Sequence, residues 1–133
     1  MNYYKLNTNI EERDSIIFHD GYRQDAYSGG IRNFENLSID KLLELKEKNF
    51  IFLDDAQNYA PTAGEFIEFM QTHEGFTADG YVVTISRSDY RISLEGISKI
   101  GDISETDMED FEELASEADI FVCDEHMLSC WFD

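Results

Sequence analysis

The sequence predicts an α+β domain: a mainly antiparallel sheet built from hairpins, with about three helices largely on one face. Three observations carry that expectation. β-Branched and aromatic runs come in adjacent pairs joined by short polar turns. Helical periodicities open on capping residues. Hairpins outnumber strand–helix–strand units, which argues against a doubly wound parallel sheet. At 133 residues the chain reads as one domain, residues 1–133, long enough to bury about two-thirds of its unfolded surface.

Residues 2–6 form a short, Tyr-rich candidate strand. Ser15-Ile-Ile-Phe-His19 and Tyr22-Arg-Gln-Asp-Ala-Tyr27 flank Asp20-Gly21, and an Asp-Gly pair between such runs signals a hairpin. Ser28-Gly29-Gly30 then breaks the chain. Ser38 opens a helix through Lys48, with Ile39, Leu42, Leu43 and Leu45 on its buried side and Lys46 and Lys48 suited to its C-terminus. The apolar run Phe50-Ile-Phe-Leu53 reads as a buried strand ending in Asp54-Asp55. Thr62 and Glu65 make a capping box for the next helix, with Phe66, Ile67, Phe69 and Met70 inward and Gly75 closing it. Residues 80–86 and 90–94 pair as a hairpin through Arg87-Ser88-Asp89. Residues 120–123 and 127–132 form the last one, turning at Asp124-Glu125-His126.

Between those two hairpins lies a stretch of unusual charge, residues 104–118. Met108, Phe111, Leu114, Ala115 and Ala118 recur at helical spacing and mark one buried stripe. Most remaining positions are carboxylates: Glu105, Asp107, Glu109, Asp110, Glu112, Glu113 and Glu117. Thr106 and Glu109 have capping-box spacing, and acids in the first turn complement the helix dipole.

The charge is regional. The chain carries 29 acidic against 10 basic residues, a net charge of −19. Twelve Asp and Glu but no Lys or Arg follow Lys99. Such a field repels nucleic acid and anionic lipid and attracts basic protein surfaces in a salt-dependent way. An aromatic content of 14% argues against disorder. No run resembles a signal peptide or approaches the ~20 apolar residues of a membrane span. With two cysteines, the chain fits a reducing cytoplasm.

Chemistry-bearing motifs are absent from the sequence. It has no phosphate loop, dinucleotide glycine pattern, nucleophile elbow or zinc-protease helix. His19, His73 and His126 fall on different expected elements. Cys123, His126 and Cys130 could offer three metal ligands, but a structural zinc site needs a fourth and a tight Cys-x-x-Cys knuckle. The favoured reading is two small buried hydrophobes that face each other near the end of the last hairpin. Asp54-Asp55 and Asp79 could bind a divalent cation or do acid–base work, but no calcium-loop spacing occurs and no basic or nucleophilic partner stands out nearby in the sequence. The expectation is therefore a non-enzyme without cofactor or metal. Tyr3, Tyr4, Tyr22, Tyr27, Tyr59, Tyr81, Tyr90 and Trp131 are candidate interface anchors.

Helix carboxylates at i, i+4 and i+7 stand several ångström apart along a rigid axis, much as phosphates do along a strand, so the acidic helix could occupy a groove shaped for nucleic acid. Asp119, Asp124 and Glu125 extend the candidate surface. The segment Tyr81 to Gly96 (YVVTISRSDYRISLEG) and the ending Cys130 to Asp133 (CWFD) resemble pieces of small acidic proteins of bacterial mobile elements. In character the chain is similar to phage and plasmid inhibitors of host defence of the anti-CRISPR and antirestriction type. That resemblance implies context and transfers no functional residue. The expected function is an acidic inhibitor that binds a basic, nucleic-acid-handling protein as a DNA mimic. Two alternatives are an immunity protein that neutralises a basic toxin such as a nuclease, and a small ligand-binding domain or enzyme whose pocket residues are scattered.

Overall fold

A computed structural model describes residues 6–56 and 59–133 of the chain. The described residues form four helices, α1 (Ile10–Ile17), α2 (Ile39–Glu47), α3 (Ala63–Thr72) and α4 (Glu105–Ala115), and five strands, β1 (Ile31–Leu37), β2 (Thr77–Val83), β3 (Ile92–Ile100), β4 (Ile120–Cys123) and β5 (Met127–Trp131). All pairings are antiparallel, in the order β1-β2-β3-β5-β4. This is the α+β class that the paired runs and capped helices predict.

Register divides the sheet into two faces, because alternate strand residues point opposite ways. Ala78, Val82, Ile92, Leu94, Ile97, Leu128 and Cys130 share the inner face. They join Leu42, Leu45, Phe66, Ile67, Met70, Phe111 and Ala115 of the helices in one buried cluster. The outer face is more polar, with Asp79, Tyr81, Ser98 and Ser129, and at the β4 end it leaves Ile100 and Ile120 exposed. Two glycines let neighbouring strands close up. A Cβ on Gly80 would lie 2.0 Å from the Ser93 carbonyl oxygen, and one on Gly96 only 1.8 Å from that of Cys130.

Helix ends follow local chemistry. Ser38 accepts from the Lys41 N–H. Thr62 and Glu65 complete the expected capping box. At the end of α2, Asn49 takes φ +65° and the N–H groups of Asn49 and Phe50 reach the carbonyls of Lys46 and Leu45. That is a Schellman stop.

Several expectations are corrected. Residues 15–27 are not a hairpin: Asn9 caps α1, accepting from Glu12 N–H, and only a single 3₁₀ turn, Gln24–Ala26, follows. Gly21 does turn the chain, at φ +71°. The helix escapes an apolar-periodicity reading because Arg13 and Asp14 fill its buried stripe beside Ile17. Residues 31–37 form a strand that their polar composition conceals. Only Phe34 and Leu37 are buried along it, and it bulges where Asn36 sits at φ +56° and donates its N–H to Asp79. Residues 50–53 lie outside the sheet; Phe50 and Ile51 are buried in the exit from the Schellman turn. The candidate strand at 2–6 falls almost wholly outside the described residues.

Candidate partner-binding surface

α4 begins two residues earlier than Thr106 implies. Ser104 has extended backbone, and its hydroxyl accepts from Asp107 N–H. Thr106 lies within the helix, which ends at Ala115 rather than Ala118. The apolar stripe anchors as its spacing predicts: Phe111 and Ala115 are fully buried. Phe111 stacks on Phe121 of β4 and on Phe76. Lys99, the last Lys or Arg in the chain, pins the first turn through Asp107 at 2.8 Å.

The ten acidic residues of the candidate surface have different fates. Asp107 is largely covered by its pairing with Lys99. Asp110 accepts from His73 Nε2 at 2.8 Å, which ties α4 to the end of α3. The ring of His73 stacks on Phe69 at 3.8 Å. Its Nδ1 lies 2.8 Å from the Phe69 carbonyl oxygen and 2.9 Å from the Thr72 hydroxyl. Asp119 accepts from Asp133 N–H. Asp124 accepts the N–H groups of His126 and Met127 and so fixes the β4–β5 turn; those two bonds hold its carboxyl below the usual range. Glu125 is exposed, 3.4 Å from His126 Nε2. The remaining five, Glu105, Glu109, Glu112, Glu113 and Glu117, are exposed, and their side chains make no hydrogen bond or ion pair among the described residues.

Helical phase separates the four on α4. At about 100° per residue, Asp110 and Leu114 lie on the flank toward α3, Glu105 and Glu112 on the opposite one, and Glu109 and Glu113 straddle the crest. Glu113 and Glu117, the latter just past the helix end, reach the α3 side. The α3 flank borders an open groove of about 650 Å³. Phe69, Leu114 and Phe132 form its floor, and Glu65, Asp110, Glu113 and Glu117 its walls, with Tyr59, Ala60 and Pro61 at the mouth. Sequence reading named Asp110, Glu113 and Glu117 as candidates, Tyr59 as an anchor and Glu65 as a helix cap, but not the groove that joins them, because α3 and α4 lie far apart in the chain.

The cysteines do not face each other. Cys123 pairs with Leu128, and Cys130 with Phe121; both thiols are free. Burial pushes Cys130 up to about 11. Burial, then Glu112 and Asp124, raises Cys123. Among the described residues no group of three His, Cys, Asp or Glu is placed to hold a metal ion, and no helix is long and apolar enough to cross a membrane. Of the aromatic anchors, Tyr59 is 97% exposed and Tyr90 is buried, its hydroxyl donating to the Asn7 carbonyl. Tyr3 and Tyr4 lie outside the described residues.

The chain matches no family model, no curated protein and no solved structure. What the surface offers is exposed negative charge on and just past a helix, beside an apolar-floored groove.

Proposed function

We propose that the protein is an acidic inhibitor that binds a basic, nucleic-acid-handling protein by presenting α4 where that partner would receive a phosphate backbone. One observation carries this reading: four glutamates on α4, and Glu117 just past its end, stand exposed with no ion pair among the described residues. Lys99 and His73, which contact α4, are already held by Asp107 and Asp110. Such an array costs self-repulsion in the free protein, and a basic partner removes that cost while releasing its own counterions. The apolar stripe fixes the spacing, so the carboxylates arrive already arranged.

The test is affinity capture from the source cell's lysate at low and moderate salt, comparing the wild type with Glu109→Lys/Glu112→Lys/Glu113→Lys/Glu117→Lys. All four positions lie off the buried stripe, so the fold should survive. A nucleic-acid-handling protein retained by the wild type and lost by the variant supports the proposal. Equal capture by both removes the acidic helix from the interface. A secreted toxin as the charge-dependent partner would favour the immunity function instead.

A further inference from the structure

Resting on that reading, we infer that the α3–α4 groove is a docking site for an arginine-bearing segment of the basic partner. Mimicry of a phosphate backbone needs only carboxylates, and the flank of Glu105 and Glu112 meets that need. The opposite flank differs in kind. There Glu113 and Glu117, with Glu65 across from them on α3, rise over Phe69, Leu114 and Phe132 in an open groove of about 650 Å³.

Acidic walls over an apolar floor fit one side-chain chemistry. A long basic residue lays its methylene stem along apolar surface and keeps its charged head among polar groups. Arginine fits better than lysine, because its planar fork meets a carboxylate with two donors and stacks on aromatic faces. Tyr59, 97% exposed at the mouth of the groove, supplies such a face. Asp110 is already engaged by His73, so Glu113 and Glu117 are left to receive the guanidinium. The charge complementarity also excludes other occupants: a second copy of this chain, a nucleic acid or an acidic peptide would each meet like charge.

The experiment is fluorescence anisotropy with a fluorescein-labelled Gly-Ser peptide carrying spaced arginines. The same peptide with citrulline, which keeps the shape and loses the charge, is the control. Wild type is compared with Glu113→Gln/Glu117→Gln in the groove and Glu105→Gln/Glu112→Gln on the far flank. Both variants lose the same net charge, and thermal melts verify their folding. The expected result is that the groove variant binds about tenfold more weakly, that the far-flank variant stays within about twofold, and that the citrulline peptide does not bind. Tyr59→Ala should weaken binding about two- to fivefold. Equal weakening by both glutamine pairs would overturn the groove and leave the acidic-surface reading standing. A wild type that ignores the arginine peptide also overturns the groove. The broader reading falls as well only if capture by the four-lysine variant equals that of the wild type.

Discussion

Arg13 and Asp14, adjacent on α1, are both sealed from solvent. Arg13 Nε donates to Asp14 at 2.9 Å, its two terminal nitrogens donate to the Val83 carbonyl and the Tyr27 hydroxyl, and its guanidinium lies over the Tyr90 ring. Tyr27 in turn donates to Asp14. Burial and the Asp14 carboxylate raise the Tyr27 hydroxyl well above its ordinary value. Removing one member leaves a charge buried alone, so Asp14→Ala should cost about 3–5 kcal/mol in urea unfolding. Tyr27→Phe, which removes one hydroxyl, should cost about 1–3 kcal/mol. A second buried group acts in the opposite sense. Glu95 is 4% exposed, and burial raises its carboxyl, against the opposing effect of the Ser93 hydroxyl. The folded state therefore binds this proton more tightly than the unfolded state does. Stability falls as pH rises from the ordinary glutamate value through the raised one, and the penalty is complete above it. Glu95→Gln should flatten that decline and raise the melting temperature near pH 7, as read by melts from about pH 4 to about pH 7.

Local signals identified some elements and missed others, for reasons visible in particular residues. α2, α3 and α4 were legible because an apolar stripe and a capping side chain agree. α1 was not, because its buried stripe includes an ion pair that reads as solvent-facing. β1 was hidden by Arg32, Asn33, Glu35 and Asn36, since an edge strand needs few apolar residues to hold its place. Residues 50–53 misled in the other direction: a short apolar run fits a buried strand and a buried turn equally well. The capping assignment on α4 can be tested directly. Ser104→Ala should cost about 1 kcal/mol of stability. Thr106→Ala, inside the exposed first turn, should change it by less than about 0.5 kcal/mol. The reverse order in chemical denaturation would return the cap to Thr106. Gly96→Ala tests the sheet. A Cβ there meets the Cys130 carbonyl oxygen at 1.8 Å, so β3 and β5 would have to separate and amide protection at Ser98 and Ser129 should be lost first.

For the molecule as a whole, the sequence exposed the charge but not how the fold divides it. The acidity of residues 104–117 can be read from spacing alone. That Asp107 and Asp110 are employed structurally, and that Glu113 and Glu117 overlook an apolar floor, depends on Lys99, His73 and Phe69, which a one-dimensional reading cannot bring alongside α4. The result is an asymmetric helix: one flank bears carboxylates alone, the other carboxylates over a groove. Both flanks belong to the same field, so association with a basic partner should slow and weaken together as salt rises through the physiological range, where the screening length is about 8 Å.

If α4 occupies a site made for nucleic acid, this protein and DNA must compete for the same partner. Labelled duplex DNA is bound to the captured partner at moderate salt, and this protein is titrated in while anisotropy is followed. DNA should be released in proportion to the protein bound, and Glu109→Lys/Glu112→Lys/Glu113→Lys/Glu117→Lys should release none. A ternary complex, with DNA retained while the protein binds, would contradict it.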